Sequence, residues 1–147
     1  MEMIDVSDYA RILNILERFQ DDLLPLRDSS VRTNISMKLS KRGKVIACIS
    51  YDEIVGFVAY YDNNTEVQDA YITLIAVDPK YRNRHIGKRL LSEVEKRVSS
   101  SMHGIRLEVQ KENIQGISFY AHNGYEYLRE ANDGSFYMLK SLRGELT

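Results

Sequence analysis

The chain has a single cysteine, Cys48, among 147 residues. One thiol cannot close an internal bridge, so the fold does not rest on disulfides and needs no oxidising compartment. An excess of charge is missing too. Twenty Lys and Arg against 21 Asp and Glu leave a net charge of −1, whereas a dedicated nucleic-acid binder normally carries a clear basic surplus. No apolar run approaches the roughly 18 residues of a spanning helix, and residues 1–7 lack the basic-then-apolar pattern of a signal peptide. His85, His103, His122 and Cys48 have no metal-ligand spacing. The dinucleotide fingerprint GxGxxG and the phosphate loop GxxxxGK[ST] are both missing, which leaves nicotinamide chemistry and nucleotide hydrolysis without support. These absences predict a soluble cytoplasmic protein with no metal and no nucleic-acid or membrane partner.

What is present is the balance of an ordinary globular chain, 44% hydrophobic and 28% charged. Its length predicts one domain over residues 1–147, large enough to bury its own core. Ser7 or Asp8 can cap a first helix with apolar positions Ile12, Leu13, Leu16 and Phe19, and Leu23 close behind. Pro25 breaks that pattern. Ser29 and Ser30 can open a second helix carrying Val31, Ile35 and Leu39, with Gly43 as its stop. Both helices are expected to precede the sheet. Residues 45–50 and 54–61 predict a hairpin around Asp52 and Glu53. Residues 70–77 carry no charge and close on Asp78 and Pro79, so this strand is expected at the centre. Along it Tyr71, Thr73, Ile75 and Val77 share one face, with Asp69 one step further out.

After Pro79 the period changes. Leu90, Leu91, Val94 and Val98 mark a helical face, and residues 105–109 read as another strand. Ile114, Ile117, Phe119 and Tyr120 predict a short helix ending at Asn123 and Gly124. Residues 125–128 and 136–139 read as two last strands around the turn Asn132-Asp133-Gly134. The order is that of an α+β, or mixed α/β, fold with one strand–helix–strand crossover at its centre.

The informative stretch runs from Val77 through Asp78, Pro79, Lys80, Tyr81, Arg82, Asn83, Arg84, His85, Ile86, Gly87, Lys88 and Arg89 to Leu91. A strand ends, a polar loop follows, and a helix begins near Gly87. The first turn of a helix leaves backbone N–H groups unpaired at its electropositive end, a setting that suits a pyrophosphate. The cations alone read equally well as a solvated helix start.

This stretch resembles the acetyl-CoA loop of the GCN5-related N-acetyltransferases, in which Q/R-x-x-G-x-G/A follows an apolar strand and opens a helix. A second signature of that family is similar to Asn113-Ile114-Gln115-Gly116-Ile117-Ser118-Phe119-Tyr120-Ala121-His122-Asn123-Gly124-Tyr125. The resemblance covers residues 56–139 and implies a central, mostly antiparallel mixed sheet flanked by helices. Two departures stand out. His85 occupies the pattern's first glycine, and histidine accepts left-handed backbone better than most residues. Tyr71 stands where many relatives carry a carboxylate base, so the base is unassigned.

The resemblance implies acetyl-CoA as co-substrate and acetyl transfer to a primary amine of a small molecule or protein, by direct attack with both substrates bound. Main-chain groups of Ile75 and Val77 would take the pantetheine arm as a peptide augments a sheet, and the N–H of Val77 is the expected oxyanion donor. Backbone N–H groups of Arg82, Asn83, Arg84, His85, Ile86, Gly87 and Lys88 would hold the pyrophosphate. Tyr120 would protonate the departing thiolate, although Phe119 and Tyr120 also read as two packed aromatics. Asn113 reads as a helix cap, a carrier contact or both. Cys48 reads as a packed core residue. Tyr60, Tyr61, Tyr71, Asp69 and Glu53 are candidate lining for the acceptor, whose identity stays open, as does a homodimer. The rival expectation is a non-catalytic acyl-CoA-binding module.

Overall fold

The computed structural model describes residues 1–64 and 66–143. Its seven-stranded sheet has the order β1-β2-β3-β4-β5-β7-β6, built from β1 (Glu2–Val6), β2 (Lys44–Ser50), β3 (Glu53–Tyr61), β4 (Asp69–Val77), β5 (Gly104–Gln110), β6 (Glu126–Asn132) and β7 (Ser135–Ser141). Four α-helices flank it: α1 (Tyr9–Arg18), α2 (Ser29–Arg42), α3 (Ile86–Val98) and α4 (Ile114–His122). Every neighbouring pair is antiparallel except β4 and β5, which α3 joins in the expected crossover. The charge-free strand β4 is the fourth of seven, at the centre.

Local chemistry accounts for the helix starts. Asp8, not Ser7, caps α1 by accepting from the Arg11 N–H at 3.1 Å. Asp28, one residue before the expected serines, caps α2 through the N–H groups of Ser30 and Val31. A single 3-10 turn at Leu24–Arg27 contains Pro25 and buries Leu26. Asn113 caps α4, its Oδ1 accepting from the Gly116 N–H at 3.0 Å.

The sheet separates two cores. One lies under α3 and α4 and contains Ile46, Val58, Tyr60, Ile72, Leu90, Leu107 and the expected core cysteine, Cys48. The other lies under α1 and α2 and contains Ile12, Leu16, Phe19, Leu39, Phe57 and Ala59. Three expectations are corrected. The sheet does not wait for the helices, because Glu2–Val6 already forms an edge strand antiparallel to β2. Its charged residues Glu2 and Asp5 hide the apolar alternation, and charge on an edge strand blocks further pairing. The hairpin turn falls on Tyr51 and Asp52, both with positive φ, and Glu53 begins β3.

The third correction matters most. Ala59 pairs with Leu74, but its neighbour Tyr60 pairs with Ile72, so β4 carries an extra residue, Thr73. A bulge of this kind breaks the two-residue alternation. Ala70 and Ile72 face the core under α3, and so do Ile75 and Val77, whereas Leu74 and Ala76 face α1 and α2. Tyr71 therefore does not share a face with Ile75 and Val77; it lies on the opposite side of the sheet, as Asp69 does.

Candidate active site

β4 and β5 pair only over Asp69–Ile72 and Gly104–Leu107. Beyond Ile72 the strands part, and the C-terminal half of β4 keeps a neighbour on one side only. The direction of its free groups follows from the ladder. The Asp78 N–H donates to the Val55 carbonyl at 2.8 Å, and Ala76 and Leu74 follow at two-residue steps opposite Phe57 and Ala59. In an antiparallel pair the bonded residues alternate with residues that point away. Ile75 and Val77 thus turn their N–H and C=O groups into the gap that β5 has left. The bulge and the parting together open a notch in the centre of the sheet, with a strip of unpaired backbone on its β4 wall.

The expected anion loop sits at the end of that strip. Asp78 accepts from the Lys80 N–H at 2.9 Å and begins a 3-10 turn, Pro79–Tyr81. Asn83 and His85 both have left-handed backbone, with φ of 64° and 61°. Asn and His are among the side chains that tolerate this region best. The first bond of the α3 ladder runs from the Arg89 N–H to the His85 carbonyl at 3.0 Å. Among the described residues, no backbone N–H from residue 83 to residue 88 donates within the chain. Their side chains other than Ile86 lie at the surface or partly so. Arg84 lies with its guanidinium 5.1 Å from the centre of the Tyr81 ring. Such a cradle fits a pyrophosphate, with the N-terminus of α3 supplying the field.

Sequence reasoning overlooked Arg18, at the last turn of α1. Its Nε donates to the Ile54 carbonyl at 2.6 Å and its Nη2 pairs with Asp78 at 2.9 Å. That clamp ties α1 to the carboxylate that starts the loop.

α4 closes the site from the side. A methyl group on Gly87 would meet the Phe119 ring at 2.9 Å, so α4 rests directly on the first turn of α3. Gly87 is needed for this close approach of a ring. Tyr120 follows, its ring 5.4 Å from Phe119 and 5.9 Å from Tyr125, edge-on to the latter. Burial pushes the Tyr120 phenol up to about 12, so it is protonated at neutral pH. Burial also raises the Cys48 thiol, in keeping with a packed, inert sulfur.

Of the candidate lining residues, Tyr60 is excluded: it is buried under α3, because along β3 it alternates with Ala59 and Tyr61, which face α1 and α2. Glu53 is exposed beside the hairpin turn. Tyr61 lines a groove with Ile35, Lys38, Arg42, Asn63 and Thr73. Tyr71 lies beyond that groove, on the same side of the sheet. There it meets two residues that the sequence reading passed over, Arg106 and Glu108. Ile105, Leu107 and Val109 turn into the core, so Arg106 and Glu108 alternate onto the other face. The Ile-Arg-Leu-Glu-Val alternation was the available signal.

A model of the Acetyltransferase (GNAT) family matches residues 9–125, and the chain belongs to that family. It is an N-acetyltransferase, with acetyl-CoA as its co-substrate. Comparison with curated proteins found no match. Among solved structures, the chain is similar to an aminoglycoside 6'-acetyltransferase type Ii, with a TM-score of 0.78 at 20% identity, covering 97% of both chains. It is similar to the PaiA N-acetyltransferase of Thermoplasma acidophilum in complex with coenzyme A, with a TM-score of 0.73 at 20% identity over 96% of this chain and 99% of that one. It is also similar to Arabidopsis thaliana NAA60 in complex with a bisubstrate analogue, with a TM-score of 0.74 at 20% identity over 95% and 98%. At these identities the likeness is one of fold. Among the described residues, no helix is long and apolar enough to cross a membrane, and no three potential metal ligands cluster.

Proposed function

We propose that the chain, acting as one domain over residues 1–147, acetylates a primary amine of a small molecule or protein by direct attack, with both substrates bound. One observation carries this reading. The unpaired backbone of Ile75 and Val77 leads straight into a loop whose N–H groups from residue 83 to residue 88 have no partner among the described residues. An extended arm with main-chain-like amides and a pyrophosphate at its end matches that strip and that loop in order.

Acetyl-CoA supplies an acyl group on a thiol that leaves readily. The protein's part is orientation and charge. Ile75 and Val77 hold the arm as an added strand, and the N–H groups of Asn83, Arg84, His85, Ile86, Gly87 and Lys88 hold its phosphates. Arg82, expected among them, has already given its N–H to the Pro79 carbonyl at the end of the 3-10 turn. The Val77 N–H donates to the thioester oxygen as negative charge develops there, a fixed dipole that needs no reorganisation. The amine's nitrogen bonds to the acyl carbon, the carbon–sulfur bond breaks, and Tyr120 returns a proton to the sulfur. The amine's proton passes to solvent water, and solvent restores the proton that the Tyr120 phenol has given up. Asn113 spends Oδ1 on the helix cap and keeps Nδ2 for the carrier. A cytoplasmic location accords with the single, buried thiol.

The test is calorimetric titration with CoA, followed by acetyl-CoA turnover against a panel of amines. Micromolar binding with turnover of at least one amine is expected. Binding without turnover of any amine would replace the enzyme reading by a carrier-binding module.

A further inference from the structure

Resting on that reading, we infer that the acceptor is a small amine that also carries a carboxylate, an amino acid or a close relative. Its carboxylate is held by Arg106 and its ammonium by Glu108. Arg106 is the anchor of this site. Its guanidinium lies between two tyrosine rings, 5.7 Å from the centre of Tyr71 and 5.1 Å from that of Tyr137. Its Nε is buried without a hydrogen-bond partner, and no carboxylate stands within ion-pair distance of it among the described residues. A buried guanidinium donor left unpaired is costly unless something else satisfies it. The two rings flank the guanidinium from β4 and from β7, and an arginine fork restrained by neighbours suits a bidentate carboxylate.

Glu108 supplies the opposite charge. It lies two residues along the same strand and face, about 7 Å away by strand rise. Its Oε2 accepts from Ser135 Oγ at 2.5 Å and Asn132 Nδ2 at 3.2 Å, which fixes the carboxylate. It stands just past Leu107, the last residue of β5 paired to β4, and so at the notch where the thioester would arrive. Arg106 stands one step back from it. A zwitterion laid along β5 therefore presents its amine, not its acid, to the notch. The groove beside Thr73 adds Lys38 and Arg42, neither of them in an ion pair among the described residues. Asp69 on this face lies at the far end from the notch, Glu126 lies across Leu139 on the edge strand β6, and the Arg129 guanidinium, 5.3 Å from the centre of the Tyr137 ring, adds a further cation. The surroundings thus favour an anionic group behind the amine and oppose a polycation.

The experiment measures CoA release with a series of α- and ω-amino acids, the methyl ester of each, a linear polyamine and an aminosugar. The free acids are expected to exceed their esters by 10-fold or more in kcat/KM. Arg106→Met should erase that preference by raising KM for the acids while CoA affinity stays unchanged; Arg106→Lys should restore part of it. Equal rates for acid and ester on the wild type, or turnover confined to the polyamine or the aminosugar, would overturn the inference and leave the acetyltransferase reading intact. CoA binding with no turnover of any amine would overturn both. The ester comparison uses the unaltered protein, so it holds even if the variants fail to fold.

Discussion

Gly87→Ala is the smallest perturbation that reaches the proposed carrier site. The added methyl would sit 2.9 Å from Phe119 Cζ and 3.3 Å from its Cε1, closer than an ordinary van der Waals contact. The ring cannot simply swing away, because it packs at 5.4 Å against Tyr120 and against the core under α3. Overpacking of this kind costs about 1–3 kcal/mol. Replacing glycine by alanine within a helix returns up to about 1 kcal/mol, less in a first turn. The net loss is about 0–3 kcal/mol, or a fall of up to about 12 °C in melting temperature at 2–4 °C per kcal/mol. The effect on CoA should be larger than the effect on stability. A displaced α4 pulls Tyr120 and tilts the first turn of α3, whose N–H groups would hold the phosphates. Calorimetry should show affinity reduced at least 10-fold, with Arg84→Ala, which removes one exposed charge, doing less. Pairing Gly87→Ala with Phe119→Leu should recover much of the loss by making room for the methyl. Unchanged affinity and melting temperature in Gly87→Ala would refute the contact and the role given to this turn.

Tyr120→Phe keeps the ring contacts with Phe119 and Tyr125 and deletes the proton donor. A fall in kcat toward the lower end of about 10²–10⁴-fold is expected, with CoA affinity little changed; unchanged kcat on a good acceptor would remove the phenol from the mechanism. Burial pushes Tyr60 and Tyr120 up to about 12, and Tyr125 upward as well. A raised phenol pKa stabilises the fold fully below the unfolded value near 10 and is lost as pH climbs through 12. Melting temperature should therefore be insensitive to these groups from pH 7 to 9 and fall steeply above 10. Arg18→Met should cost about 1–2 kcal/mol, seen as a lower denaturation midpoint, because it leaves the Ile54 carbonyl and Asp78 without their donor. It should also weaken CoA, since Asp78 starts the loop; a stability loss with intact CoA affinity would show that the clamp only braces α1.

The sequence alone determined the class of fold, because the elements that define it have strong local causes. The charge-free strand β4, the helix of Leu90, Leu91, Val94 and Val98, and the polar loop between them follow from periodicity, caps and turn residues. His85 was legible as well: the resemblance set it at a glycine position, and the backbone there is left-handed. Tyr120, Asn113 and Gly87 were singled out through the same resemblance, and the structure puts Asn113 at the cap of α4 and Gly87 under the Phe119 ring beside Tyr120. What only the tertiary structure decided depends on pairing between distant segments. The extra residue Thr73 exists only as a mismatch between β3 and β4, and nothing local in residues 69–77 marks it. That one residue puts Tyr71 on the face opposite Ile75 and Val77. The edge strand Glu2–Val6 is held by β2, some forty residues away, so its own pattern did not need to be strong. The Arg18 clamp joins residues 60 apart, and the setting of Arg106 between Tyr71 and Tyr137 needs three strands side by side. Elements are coded by neighbours a few residues apart. A site assembled across a sheet is coded by register, which a single strand does not contain.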